Sequence, residues 1–315
     1  MSSSSKSSSS KSSSSEPFSS DVLSQLSVAM SARAEAAKTA VVAINLGEGR
    51  HLTGTAWQPG VIVVSEQALP RGDDFELVVA GGSTVAAKLA GRDASTNIAI
   101  LKTAETIVAS AFTAAEPHVG ALALAIGADG TGGASARLGA VNLVSGEWHS
   151  LRGGLIDRRI VLDIQLASRE EGGPVFDAAG GLLGISTFGP RGQVIVIPYA
   201  TLARVVPQLV SDGHVARGWL GVALHAVAVP DALRESADQS SGMMVMSVVE
   251  NGPAAQAGIV AGDIILSVDG IAASRFRKIA RYFGGDSIGR KADVRVIRGG
   301  AIITVQTTIA ERRAA

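Results

Sequence analysis

The chain has 315 residues, 46% of them hydrophobic, enough for two domains with separate cores plus a terminal extension. Lysine plus arginine (28) equals aspartate plus glutamate (28), so no global field draws it to nucleic acid or to an anionic membrane, and nucleic acid is excluded as an expected partner. The absence of cysteine excludes disulfides, thiolate metal sites and cysteine nucleophiles.

Residues 1–20 are nearly all serine with Lys6, Lys11 and Glu16. Such a segment buries too little surface to offset the entropy of ordering, so a disordered tail is predicted. It has no apolar stretch suited to a secretory signal, and the chain as written reads as cytoplasmic. Asp21 to Ala40 places Leu23, Leu26, Met30, Ala34 and Ala37 at helical spacing behind a candidate N-cap, Asp21. From Val41 to about Ile197, short runs such as VVAI, VIVV, FELVV, ALALAI and VIVI are separated by Gly, Asp and Asn, the pattern of an all-β barrel or sandwich. Its longest nearly apolar run, Val119 to Ala128, is about half of the ~20 residues a bilayer crossing needs, so no transmembrane helix is expected.

Pro198 to Val210 returns to helical spacing and ends at Asp212-Gly213, which reads as a C-cap, with a domain boundary near His214 to Arg217. The remaining residues form a second strand-rich unit. One amphipathic helix is predicted in it, Ser274 to Phe283, with Phe276, Ile279, Ala280 and Phe283 on one face. Ile271 to Ala315 holds ten basic against three acidic residues, a locally basic end.

Five segments in order resemble the HtrA/DegP family of trypsin-like proteases. They are GRDASTNIAILK (Gly91 to Lys102), VGALALAIG (Val119 to Gly127), EGGPVFDAAGGLLGIST (Glu171 to Thr187), RGWLGV (Arg217 to Val222) and PAAQAGIVAGDIILSVDG (Pro253 to Gly270). The resemblance implies a mostly β fold: a trypsin-like double β-barrel followed by a small α+β PDZ domain. The expected division is a tail at 1–20, a protease-like domain with an N-terminal helix at 21–213 and a PDZ domain at 217–312.

A serine protease needs a nucleophilic Ser, a His to take its proton, an Asp to orient that His, and backbone N–H groups for the oxyanion. The family carries its His in a phrase such as IVTNNHVV, and aligned on it this chain reads GVIVVSEQAL, with Gln67 at that position. The Asp phrase DIALLK appears here as NIAILK with Asn97. The nucleophile motif GNSGGP appears as Arg169-Glu170-Glu171-Gly172-Gly173-Pro174, with Glu171 for the serine and Arg169 for an oxyanion-loop glycine. Gln cannot accept a proton at neutral pH, Asn lacks the orienting carboxylate, and a side chain at 169 disfavours a backbone shape that Gly adopts freely. No catalytic residue is therefore expected, and the chain reads as a pseudoprotease rather than an enzyme.

The five histidines, His51, His118, His149, His214 and His225, lie outside the matched motifs and read as loop or surface residues. Glu66, Glu170 and Glu171 are expected near the old cleft, either close enough to hold a cation or paired with Arg169 or an amide. No metal or cofactor is expected, since no HExxH, EF-hand, P-loop or GxGxxG pattern occurs.

A PDZ domain adds an extended peptide to a sheet edge and holds its terminal carboxylate on backbone N–H groups. By resemblance the holding loop is Gly218 to Val222. The expected peptide-binding residues are Trp219, Leu220, Gly221 and Val222, with Arg275 and Lys278 on the helix favouring acidic ligands. The functional expectation is a scaffold or chaperone-like binder of peptides and protein C-termini. The alternatives are an active HtrA-type endopeptidase in protein quality control, or a regulatory subunit of an active paralogue. Family precedent points to a homotrimer and to the bacterial envelope.

Overall fold

The computed structural model describes residues 20–105, 107, 111–274, 279 and 282–311. The predicted tail lies outside them except for Ser20, which instead opens helix α1 (Ser20–Ala37), and the predicted helix ends in a 3-10 turn over Lys38–Ala40. Strands β1 (Val41–Asn45), β2 (His51–Gln58), β3 (Val61–Ser65), β4 (Asp74–Val78), β5 (Thr84–Asp93) and β6 (Ile98–Thr103) close a barrel in the order β1-β2-β3-β6-β5-β4.

Every residue of β3 is buried, and the period of two sends its side chains to two different cores. Ile62 and Val64 fill the first barrel with Ala99 and Leu101 of β6. Val61 and Val63, with Ile98 and Ile100, face outward into a second cluster. Full burial of each such side chain is worth roughly 1.5–3 kcal/mol, which is why these strands read as unbroken apolar runs.

The second barrel comprises β7 (Leu122–Ala128), β8 (Ala134–Ser145), β11 (Arg159–Leu162), β12 (Pro174–Asp177), β13 (Leu182–Phe188) and β14 (Val194–Pro198), in the order β11-β14-β13-β12-β7-β8. A short hairpin of β9 (Trp148–His149) and β10 (Leu155–Ile156) projects from it. Helix α2 (Tyr199–Ser211) presents Leu202, Val205, Val206 and Leu209 to the outward face of β3 and β6, where Ile185 and Ile197 of the second barrel join them. This shared cluster welds the barrels together. Asp212 caps α2 and Gly213 turns left-handed at φ +76°, as the Asp-Gly pair predicts.

The C-terminal unit contains β15 (Gly218–Trp219), β16 (Val222–Ala228), α3 (Arg234–Ala237), β17 (Ser241–Val248), α4 (Pro253–Gln256), β18 (Ile264–Val268), β19 (Ile271–Ala272), β20 (Lys291–Arg298), β21 (Ala301–Thr308) and β22 (Ala310–Glu311). Its main sheet runs β16-β17-β18-β20-β21, and β15 pairs with β22. Asp269 and Gly270 both take positive φ in the tight turn between β18 and β19. Of the predicted helix Ser274 to Phe283, Ile279 is helical and packs in the core, whereas Phe283 lies beyond the helix. Arg275 and Lys278 lie outside the described residues.

The two units meet at Arg217. Its guanidinium bonds Asp93 Oδ2 at 3.1 Å and also Ser95 Oγ, both at the end of β5 in the first barrel. Asp93 is additionally tied by Ser95 and Thr96 hydroxyls at 2.7 Å each.

Candidate functional site

The three aligned positions come together in the cleft between the barrels, joined by two hydroxyls. Gln67 follows the end of β3, Asn97 stands at φ +60° in the turn before β6, and Glu171 begins the segment leading into β12. Asn is among the few residues that tolerate this left-handed geometry. Asn97 Oδ1 accepts the Gln67 backbone N–H at 2.7 Å, which fixes the two segments to each other.

Glu171 Oε1 is the focus of the cluster. It accepts hydrogen bonds from Ser65 Oγ (2.7 Å), Gln67 Nε2 (2.7 Å) and Thr187 Oγ1 (2.8 Å). Asn97 Nδ2 supports the two hydroxyls from behind, donating to Thr187 Oγ1 at 2.7 Å and Ser65 Oγ at 3.1 Å. Ser65 is fully buried and Glu171 is 6% exposed, whereas Gln67 lies at the surface of the cleft. Two of the imidazoles are engaged elsewhere: His51 bonds Ala128 O at 3.0 Å and His214 lies against Glu311.

The three carboxylates expected near the cleft diverge. Glu170 points the other way, buried against Ser135 Oγ (2.9 Å), the Ala167 N–H (2.7 Å) and Arg137 Nε (3.1 Å). Burial pushes its carboxyl up, but these hydrogen bonds outweigh burial and hold it below its ordinary value. Glu66 lies 3.9 Å from Arg92. Of the two expectations for these carboxylates, the cation-holding cluster is corrected, because Glu170 and Glu171 project to opposite sides of a tight turn and no group of metal-ligating side chains forms among the described residues, whereas Glu171 is paired with the Gln67 amide.

Arg169 lies in a 3-10 turn, Ser168–Glu170, without positive φ, and its side chain is exposed. Within that turn the Glu170 N–H donates to Ala167 O at 2.9 Å and the Glu171 N–H to Ser168 O at 3.3 Å. The N–H at position 171, aligned with the family's nucleophile, is therefore turned into its own loop. Thr53 Oγ1 holds Arg169 O at 2.7 Å and Thr55 Oγ1 holds Gly172 O at 2.8 Å, anchoring the loop to β2. Ser65 and Thr187 escape a reading by motif, because what recruits them is their inward direction at the ends of β3 and β13 rather than any local pattern.

The second candidate site is the groove of the C-terminal unit. A pocket of about 240 Å³ is lined by Trp219, Leu220, Gly221 and Val222, by Ile265 and Ile279 beneath, and by Arg152 and Gly153 from the turn between β9 and β10. The N–H groups of Leu220 and Gly221 donate no hydrogen bond among the described residues. Gly221 has φ +79°, and a Cβ there would lie 3.1 Å from the Trp219 ring. Free N–H donors beside an apolar pocket can take a carboxylate with an apolar side chain next to it.

Comparison with known proteins agrees with both halves. Residues 52–185 match the trypsin-like peptidase domain family and residues 219–309 the PDZ domain family. A "Probable periplasmic serine endoprotease DegP-like" of Brucella suis is 32% identical over 264 residues, which is 80% of this chain and 51% of the relative. The protein of the same name in Pseudomonas putida is 30% identical over 249 residues, 76% of this chain and 52% of the relative. The chain therefore spans about half the length of the curated relatives it matches. Among solved structures, the serine endoprotease from Yersinia pestis is 26% identical, with TM-score 0.66 over 91% of this chain and 98% of that one. The HtrA-type protease AlgW with decapeptide, 23% identical, shares the fold with TM-score 0.67 over 91% and 99%.

These names overturn the expectation that the chain is no enzyme, since the quoted curated relatives are serine endoproteases matched over at least three quarters of it. Position 171 is where the substitutions leave the chemistry open. The replacements remove the imidazole from its aligned position, but they leave a carboxylate in the cleft, and a carboxylate is itself a general base. The cytoplasmic expectation also finds no support, because the same relatives are named periplasmic. No described helix is long and apolar enough to cross a membrane.

Proposed function

The chain belongs to the HtrA family of trypsin-like serine proteases with a PDZ domain, and from that premise we propose that it is a peptide-guided endopeptidase acting on extended or unfolded protein chains in the bacterial envelope. One observation carries the reading. The pocket at Gly218 to Val222 is lined from the protease side by Arg152 and Gly153, so a peptide end seated there rests against the second barrel as well as the PDZ loop. The unused N–H groups of Leu220 and Gly221 would hold the terminal carboxylate, and Trp219 and Val222 would flank the last side chain. Arg275 and Lys278, by their charge, favour ligands with acidic residues before the terminus.

The experiment pairs two measurements on the full chain: fluorescence-anisotropy titration with C-terminal peptides, and digestion of unfolded casein. Micromolar binding that needs a free carboxylate, together with casein cleavage, is the expected result. Amidated peptides binding as tightly as free acids would sink the groove assignment, and intact casein would sink endoproteolysis while leaving peptide capture standing.

Assembly belongs to the same proposal. Val22, Leu23 and Val28 of α1 are 61%, 74% and 69% exposed, which supports association with further copies or with an intact paralogue. A monomeric mass by light scattering and no co-purifying relative would reject it.

A further inference from the structure

Hydrolysis of a peptide bond needs a nucleophile, a group that takes its proton and a donor for the developing oxyanion. Ser65, one of two hydroxyls bonded to the Glu171 carboxylate, is fully buried and donates its hydrogen to Glu171 at 2.7 Å, so a peptide carbonyl does not reach it. The chemistry available in this cleft is centred on Glu171.

The two carboxylate oxygens of Glu171 are in different situations. Oε1 is held by Ser65, Gln67 and Thr187 at 2.7–2.8 Å, which locks the plane of the group. Oε2 accepts no hydrogen bond among the described residues. The only buried side-chain nitrogen or oxygen left without a partner among them is Arg159 Nε, so Oε2 keeps a small contact with solvent although Glu171 as a whole is 6% exposed. A carboxylate pinned through one oxygen and left unpaired at the other, where a single water reaches it, is a preorganised proton acceptor.

Gln67 supplies the second element. Its Nε2 has two hydrogens and three acceptors: Glu171 Oε1 at 2.7 Å, Thr187 Oγ1 at 3.0 Å and Phe188 O at 3.0 Å. Exchanging one of these acceptors for a substrate carbonyl leaves the amide with as many bonds as it can make. The Glu171 N–H is directed to Ser168 O at 3.3 Å, whereas the Gln67 amide already donates to the Glu171 carboxylate and so lies beside the reacting position.

We propose that Glu171 is the general base of a water-dependent peptide hydrolysis, with Gln67 as oxyanion donor. This rests on the endopeptidase reading above and names its chemistry. Water bonds through oxygen to the carbonyl carbon while Glu171 Oε2 takes one of its protons, and Gln67 Nε2 donates to the carbonyl oxygen as it gains charge. The tetrahedral species then breaks its C–N bond, and the proton on Oε2 passes to the departing nitrogen. Acid and amine leave and the carboxylate is restored, with water consumed and no acyl-enzyme formed. Ser65 and Thr187 act as positioning residues through Oε1.

The test uses the full chain, an internally quenched peptide ending in a free apolar carboxyl group, and a fluorophosphonate. The expected result is cleavage that the fluorophosphonate neither labels nor slows. Glu171→Gln should reduce kcat at least 100-fold, the lower end of a general base's contribution, with KM unchanged and the circular-dichroism spectrum still that of the folded chain at the assay temperature. Glu171→Asp, which keeps an acceptor but retracts it by one methylene, should give an intermediate kcat and guards against a folding artefact in the first variant. Cleavage that persists in Glu171→Gln, or that a fluorophosphonate abolishes, overturns this chemistry and leaves the endopeptidase reading intact. No cleavage by the unaltered chain overturns both, while peptide binding measured in parallel reports on the groove alone.

Discussion

Glu170 and Glu171 are neighbours on one turn, yet one is tied to β8 and the other to the cleft. Glu170 is 2% exposed in its side chain and paired with Arg137, so it acts as the peg that seats the loop carrying Glu171. Glu170→Gln keeps the shape but gives up a charge-assisted pair, and should cost about 2 kcal/mol at pH 7, seen as a lower urea midpoint. The folded-state carboxyl is held below its ordinary value, so the stabilisation is complete above the carboxylate range of the unfolded chain and is lost as pH falls through the depressed folded value. The difference between parent and variant should therefore shrink on acidification; a constant difference down to pH 2 would contradict the assignment. At this scale the sequence made the identities at 67, 97 and 171 legible, because each sits in a local phrase. The partners were not legible: Ser65 and Thr187 stand 106 and 16 residues from Glu171, and only closure of both barrels brings them to it.

Among elements, the loop Gly218 to Val222 shows what local chemistry can and cannot announce. Its glycine at 221 is required, since φ +79° strains any side chain and two atoms of the Trp219 ring lie within 3.2 Å of where a Cβ would fall. Gly221→Val should weaken C-terminal peptide binding at least tenfold by twisting the Leu220 and Gly221 N–H groups away from the carboxylate. The barrel-borne activity on a peptide lacking a free carboxyl terminus should stay unchanged; equal affinity in calorimetric titration would show that the loop does not hold the ligand. Helix α2 and its Asp212-Gly213 cap were legible, as was the Asp269-Gly270 turn, because cap and turn residues act on their own backbone. The 3-10 turn at Ser168–Glu170 was not, because it is set by Thr53 and Thr55, more than a hundred residues away.

At the scale of the molecule, two-barrel-plus-PDZ order could be read from strand alternation and glycine punctuation, but the docking of the halves could not. It depends on Arg217 reaching Asp93, 124 residues earlier, where Asp93 is 8% exposed and already gathers Ser95 and Thr96. The same turn touches the second barrel, because a Cβ on Gly154 would collide with the Ser95 backbone. Arg217 thus ties the PDZ unit to the point where both barrels meet the pocket-lining turn of Arg152 and Gly153. Arg217→Ala leaves Asp93 with its two hydroxyl partners, so the first barrel should keep its fold, while the PDZ unit loses its strongest polar tie to it. Scanning calorimetry should then resolve two transitions in place of one, and the segment 212–217 should be cut several times faster by a protease of broad specificity. If the tie also presses the peptide pocket against the barrels, the variant should bind C-terminal peptides with reduced affinity, and an isolated Arg152→Ala should reproduce that loss without splitting the thermal transition. A single transition and parental proteolysis in Arg217→Ala would mean that apolar contacts alone dock the two units.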